Sequence, residues 1–266
     1  MRRCFFLLLV WLSLPAEAAR LDVELDGHVQ QWQSRELLSH PEARDIIVEQ
    51  DVSYRRRMQY RAVPLSLVLK GVQAKDHLQA VALDGFAAEM PAGPLLQPGP
   101  ARAWLAIEDP ARPWPALGQG KPSAGPFYVV WTKPEASAIR PEQWPFQVVK
   151  LRQMPAVTER FPAMVPAQEL AANDPVREGF ALFQQNCLAC HRLNGQGDAQ
   201  LGPDLNLPHS PVEYFEPGYL RRFIRDPQGM RRWPQGKMPG FGEEVLSEQE
   251  LDAVLAYLEH MAGRRP

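Results

Sequence analysis

The sequence predicts two domains, an N-terminal α+β unit that is mainly β and a C-terminal all-α unit. Three observations carry this. The chain has 266 residues, more than one small domain needs. Its texture changes near residue 175, from short apolar runs broken by Pro, Gly and Asp to apolar positions at helical spacing. Between the two regions, 154–174 holds Pro155, Pro162 and Pro166 with little periodicity. With 45% hydrophobic residues there is material for a real core, and a net charge of −2 gives no electrostatic reason to bind nucleic acid or an anionic membrane.

Residues 1–19 read as a secretory signal peptide. Arg2 and Arg3 precede an apolar run, followed by Pro15 and the small-residue signature Ala16-Glu17-Ala18, with cleavage expected before Ala19 or Arg20. The run is short for a membrane span, although an uncleaved anchor is the alternative. Cleavage removes Cys4 and leaves Cys187 and Cys190 as the remaining thiols, while the net charge moves from −2 to −3 through loss of two arginines and one glutamate. The expectation is a periplasmic protein with no membrane insertion after cleavage.

From 20 to 153, the runs 46–48, 78–83, 103–107, 127–131 and 146–151 are apolar, bounded by turn residues, and fit strands. Segments 34–40 and 65–69 fit short helices. Residues 154–174 are expected to be an extended Pro-rich linker, since proline supplies no ladder donor and interrupts a helix. Beyond it, 176–186 and 218–225 are expected helices, the second ended by Asp226-Pro227. Ser247-Glu248-Gln249-Glu250 is a capping box that opens a last helix with Leu251, Val254, Leu255, Leu258 and Met261 on one face.

The chemistry concentrates in Cys187-Leu188-Ala189-Cys190-His191. Two thiols at this spacing can each add to a vinyl group of one haem, and the adjacent histidine then reaches the iron, which is the c-type attachment pattern. Taken alone, the pentapeptide also fits half of a zinc or thiol-redox site. A second axial ligand is sought among Met230, Met238 and Met261. Met261 falls on the core face of the last helix and Met230 in a basic stretch. Met238 lies in the loop Lys237-Met238-Pro239-Gly240-Phe241, which can present a thioether to iron, and it is the expected sixth ligand. His209 and His260 are the histidine alternatives. A thioether ligand raises the reduction potential, and a saturated iron leaves no position for oxygen, so an electron carrier is favoured over an oxygen-activating enzyme. Arg221, Arg222, Arg225, Arg231 and Arg232 form a basic cluster. Its plain reading is an exposed charged face; its sharper reading is that some of them, with Trp233, hold haem propionates and others steer an acidic partner.

Residues 175–263 resemble a class I cytochrome c domain, through Gly179-Phe180-Ala181-Leu182-Phe183, the haem motif, Gly202-Pro203-Asp204-Leu205, Met238-Pro239-Gly240-Phe241 and Tyr257-Leu258. The resemblance implies that the first and last helices cross at Gly179, with Phe183 and Tyr257 packed around the crossing. It also implies that the Pro203 carbonyl accepts the ring N–H of His191.

Residues 35–152 resemble the sulfite-oxidase-type molybdopterin-binding domain, through Tyr60-Arg61-Ala62-Val63-Pro64-Leu65, Asp84-Gly85-Phe86, Leu105-Ala106-Ile107-Glu108 and Gly125-Pro126-Phe127-Tyr128. Active members of that family bind molybdenum through a cysteine thiolate, and once Cys4 is removed this region has none. Molybdopterin is therefore not expected, and a docking role is. Arg55-Arg56-Arg57 reads as a solvated turn before it reads as a phosphate grip. Asp84, His40 and His77 form no recognisable catalytic set.

The domain expectation is thus 1–19 signal peptide, 20–153 sulfite-oxidase-like without its metal ligand, 154–174 linker and 175–266 cytochrome c. One covalent haem c is expected, tethered by Cys187 and Cys190 and ligated by His191 and Met238, with no catalytic residues. Its expected partners are a periplasmic electron donor and acceptor. The alternative is a haem-coupled oxidoreductase whose first domain binds a pterin cofactor or substrate.

Overall fold

The computed structural model describes residues 18–96, 99–137, 139–199, 201–233 and 235–266. The expected signal peptide lies outside them except for its last two residues.

Folding of the N-terminal region starts with a hairpin, β1 (Arg20–Leu25) and β2 (His28–Gln33). Asp26 and Gly27 turn it, with φ of 48° and 76°. Two consecutive positive φ values give the mirror-image turn whose twist suits a two-residue hairpin, and Asp-Gly is the pair that tolerates it. After helix α1 (Ser34–Leu38) come β3 (Arg44–Val48), β4 (Met58–Pro64), β5 (His77–Ala82) and β6 (Ala87–Pro91). Helix α2 (Ala92–Leu96) and strands β7 (Arg102–Ile107), β8 (Phe127–Thr132) and β9 (Val148–Met154) complete the unit.

Among the described residues these strands form two sheets, ordered β2-β1-β9-β5-β6 and β3-β4-β7-β8. β9 pairs parallel to β1 and antiparallel to β5, which brings the end of the unit back to its beginning. β8 is an edge strand, yet Phe127 to Trp131 are fully buried. The segment that follows covers it, since Val129 N–H donates to the Pro145 carbonyl (3.0 Å) and Trp131 Nε1–H to that of Gln143 (2.9 Å). This is how an apolar edge is kept from pairing with another chain.

Residues 154–174 depart from the extended linker expected. They carry α3 (Val157–Arg160) and a single 3-10 turn, Pro162–Met164. Val157 and Met164 are buried in the C-terminal core, and Tyr257 Oη–H donates to the Met164 carbonyl (2.7 Å). Prolines at the first position of a turn do not oppose it, because that N–H has no helical partner in any case.

The C-terminal region is helical: α4 (Pro175–Asn186), α5 (Pro211–Tyr214), α6 (Pro217–Arg225), α7 (Pro227–Met230) and α8 (Glu248–Ala262). Asp174 caps α4 by accepting from Val176 N–H (2.9 Å), and the expected capping box of Ser247 and Glu250 opens α8. α4 crosses α8 at Gly179. A Cβ there would stand 1.9 Å from the Ala253 carbonyl oxygen and 2.8 Å from Tyr257 Cβ, so only glycine permits the approach. The Phe180 and Phe183 rings lie 5.4 and 5.3 Å from Tyr257. Because α4 lies over Ala253 and Tyr257, the buried stripe of α8 shifts toward them, and Leu255 is only half-buried.

An ion network ties the two regions together. Arg160, 8% exposed at its side chain, donates to Glu89 of β6 (2.7 Å) and to Asp198 (2.6 Å), which follows the haem motif. Gln79 Nε2 bridges the same two carboxylates at 2.7 and 2.8 Å, and Arg152 holds Gln79 Oε1 (2.8 Å). Glu89, 4% exposed at its side chain, also meets His77 at 2.5 Å. Burial pushes the Glu89 carboxyl up, but the hydrogen bonds from His77 and Arg160 outweigh it and hold the group below its ordinary range.

Two outcomes follow from these contacts. Gly179→Ala should cost about 1–3 kcal/mol by overpacking the crossing, read as a lower denaturation midpoint. Gly218→Ala, inside α6 where a Cβ meets nothing within 4 Å, should leave the midpoint unchanged or slightly raised. Arg160→Met strands buried Glu89 without its cation and should cost about 3–5 kcal/mol at neutral pH. A carboxyl depressed in the folded state stabilises above its ordinary pKa and loses that contribution as pH falls through the folded value. The difference between Arg160→Met and the parent should therefore shrink below about pH 4.

Candidate functional site

α4 ends where the haem motif begins. Cys187 is its C-cap, donating N–H to the Phe183 carbonyl (2.9 Å), and Leu188 N–H shares that acceptor. The Cys187 carbonyl then accepts from Cys190 (3.0 Å) and His191 (2.9 Å). This tight turn brings Cys187, Cys190 and His191 out of one helix end, each half-buried.

His191 Nδ1 lies 2.9 Å from the Pro203 carbonyl oxygen. A carbonyl only accepts, so Nδ1 carries the proton and Nε2 keeps a free lone pair for a metal. The Cys190 carbonyl takes the Gly202 N–H (2.7 Å), which closes the 190–203 loop around the ring. A Cβ on Gly202 would stand 2.5 Å from His191 Cε1, so the imidazole occupies the place of the missing side chain. Burial lowers the His191 pKa, opposed by the Pro203 carbonyl and the Asp204 charge, and so favours the neutral, ligating ring.

Both thiols are free. Burial pushes Cys187 up to about 12, with the Glu142 and Cys190 charges adding to it. Burial pushes Cys190 up to about 11, with Asp84 adding and Lys237 opposing. Reactive dithiols and zinc thiolates require the opposite displacement. Among the described residues no cluster of three or more His, Cys, Asp or Glu converges, so a zinc reading lacks its remaining ligands. Neutral cysteines beside a histidine with free Nε2 fit a covalently tethered haem.

Met238 lies half-buried against the C-terminal core, in the loop between α7 and α8. That loop is pinned at both ends. Gln228 accepts from Trp233 N–H (3.1 Å) before it. After it, Phe241 N–H donates to the Ile224 carbonyl (3.1 Å) and Arg225 to the Phe241 carbonyl (2.8 Å). Of the alternatives, Met261 is buried in the helix crossing as core. His260 Nε2 accepts from Ala167 N–H (3.1 Å) and is thereby engaged, while His209 is exposed.

The basic cluster divides. Arg221 pairs with Glu248 (2.7 Å) and Asp252, and Arg225 with Glu248 (2.7 Å), so both are committed to the start of α8. Arg222, Arg231 and Arg232 are exposed, and Arg231 stacks on Trp233, itself 55% exposed. In the first domain, Arg55-Arg56-Arg57 is an exposed turn with Arg57 paired to Glu49 (3.3 Å). Asp84, His40 and His77 each have separate partners: Phe86 N–H, Glu42 N–H and Glu89.

Sequence reasoning missed Glu142 and Arg140, and it did not connect Asp84 with the haem motif. No local pattern could have found them, because Glu142 and Asp84 bear on the cysteines, and Arg140 on the start of α8, only through tertiary packing.

Residues 176–262 match the family model Cytochrome c. The C-terminal region is a cytochrome c domain with a haem-binding, electron-transfer role, joined to an N-terminal mainly β region of two sheets.

Gly202→Ala is expected to leave haem attached through both cysteines while displacing the imidazole. The readout is absorption of the reduced protein, with partial loss of the low-spin spectrum and new carbon monoxide binding. An unchanged spectrum would mean that the cradle is dispensable.

Proposed function

We propose that this protein is a periplasmic electron carrier with one covalently bound haem c. The observation that carries the reading is the His191–Pro203 hydrogen bond beside two neutral, half-buried cysteines in the same turn. When bound, the haem supplies a one-electron ferric/ferrous couple. Cys187 and Cys190 tether it. His191 is oriented by Pro203 and spaced by Gly202 and would ligate the iron, and Met238 would supply the second ligand. A thioether favours the reduced iron and closes the second face, which suits transfer of single electrons better than catalysis.

The N-terminal domain is read as sulfite-oxidase-like, without a cysteine for molybdenum and serving as an interaction module. Among the described residues no helix is long and apolar enough to cross a membrane, and residues 1–19 are read as the export signal. The donor and acceptor are periplasmic redox proteins. Arg222, Arg231, Arg232 and Lys237 are exposed, and among the described residues none of them is ion-paired, unlike Arg221 and Arg225. Cations of this kind steer an acidic partner.

Purified full-length protein should contain one iron and no molybdenum per chain. It should show low-spin spectra in both oxidation states, with the weak near-infrared band of sulfur ligation. Met238→Ala should lose that band and bind carbon monoxide when reduced. Stoichiometric molybdenum, or ready carbon monoxide binding by the parent protein, would overturn the carrier reading.

A further inference from the structure

Two segments of the N-terminal domain close on the cytochrome c domain, one on the turn that bears the two cysteines and the other at the start of α8. Along 84–87, Ala87 N–H donates to the Ala189 carbonyl (3.4 Å), and Ala189 stands directly before Cys190. The other segment is the 3-10 turn Pro141–Gln143. Arg140, just before it, donates to the Val245 carbonyl (2.7 Å) and to Glu250 of the α8 capping box. Gln143 accepts the Arg140 N–H at Oε1 (2.9 Å), and its carbonyl accepts from Trp131 Nε1 (2.9 Å). Glu142 is therefore held from both sides, by α8 through Arg140 and by β8 through Gln143. The Glu89–Arg160–Asp198 seam fixes the same face a third time.

Glu142 Oε2 is buried and has no hydrogen-bond partner. Leaving a carboxylate oxygen dry and unpaired is costly, and folding of the first domain alone gives no reason for it. Its charge acts on Cys187, as that of Asp84 acts on Cys190. One acid of the first domain thus lies within electrostatic reach of each tethering position, and Lys237, the neighbour of Met238, opposes Asp84.

We propose that the N-terminal domain is a fixed wall of the haem site, and that Glu142 and Asp84 are positioning charges which lower the electron affinity of the haem. The inference rests on the haem reading above. The iron–porphyrin core of a haem carries one positive charge when ferric and none when ferrous, so a nearby carboxylate stabilises the oxidised form. Exclusion of water strengthens the effect at Glu142, whose Oε2 is buried, whereas Asp84 is exposed and acts through solvent. One electron moves, and no bond or proton need change.

The test is the midpoint potential of full-length holoprotein at pH 8, for Glu142→Gln and Asp84→Asn. Gln keeps the shape of Glu142 and removes a buried charge. Asn keeps an acceptor for Phe86 N–H, which Asp84 now receives at 3.0 Å. Glu142→Gln should raise the ferrous-to-ferric ratio at fixed potential about threefold, an upward shift of about 28 mV at 59 mV per tenfold for one electron, and Asp84→Asn, at an exposed and solvent-screened carboxylate, should raise it by less. Glu49→Gln, the same charge change in an exposed residue beyond β3 on the other sheet, should leave the potential unchanged. Haem attached normally in both variants, with potentials equal to or below the parent's, would overturn the inference while sparing the haem reading. Absence of covalent haem in the parent would instead remove the reading on which it rests.

Discussion

The crossing of α4 over α8 at Gly179 is the contact on which the arrangement of the site depends. Ala253 comes so close that no side chain fits between the helices. That proximity sets where α4 ends, and the end of α4 is the turn holding Cys187, Cys190 and His191. It also sets the start of α8, where Arg221 and Arg225 bind Glu248 and where Arg140 of the other domain binds Glu250. Arg225 in turn pins the loop of Met238. One missing methyl group thus places both the expected iron ligands and the seam between the domains.

That seam is built from charges, which gives it a particular character. Glu89 and Arg160 are nearly dry at their side chains, so each needs the other. Ion pairs of this kind add little net stability against an apolar alternative, but they punish any misalignment heavily. The consequence is registry more than strength. Asp198, Gln79 and Arg152 must all be in place before the network closes. The segment 154–174 contributes by packing Val157 and Met164 into the cytochrome core and supplying Arg160.

Much of the fold was legible in the sequence where local rules dominate. The strands around Ile46, Ala103 and Phe127 appear where apolar runs and turn residues predict them, and so do α4, α6 and the capped start of α8. The hairpin of β1 and β2 was not expected, although Asp26-Gly27 marks its turn and Leu21, Val23 and Leu25 alternate along β1; β2 offers only Val29 and Trp32 as apolar positions. β4 and β6 were likewise not expected: β4 alternates from Met58 to Ala62 but ends in Val63-Pro64, and Ala87-Ala88-Glu89 of β6 does not alternate. In 154–174, proline density suggested an extended chain, whereas Pro162 opens a 3-10 turn and the C-terminal core holds Val157 and Met164 in place.

The sequence alone brought the candidate tethering and ligating groups together, because the thiol spacing and the adjacent histidine are set within five residues. It also determined the helix ends, since capping is a matter of neighbours. Only the tertiary structure decided which arginines are committed to ion pairs and which are open. Tertiary packing also decided that His260 is engaged by a backbone amide, and that Glu142 and Asp84 bear on the cysteines from another domain. The reason is range. Hydrogen bonding and helical periodicity act over a few residues, whereas charge and burial act through space, among groups that the order of the chain does not bring together.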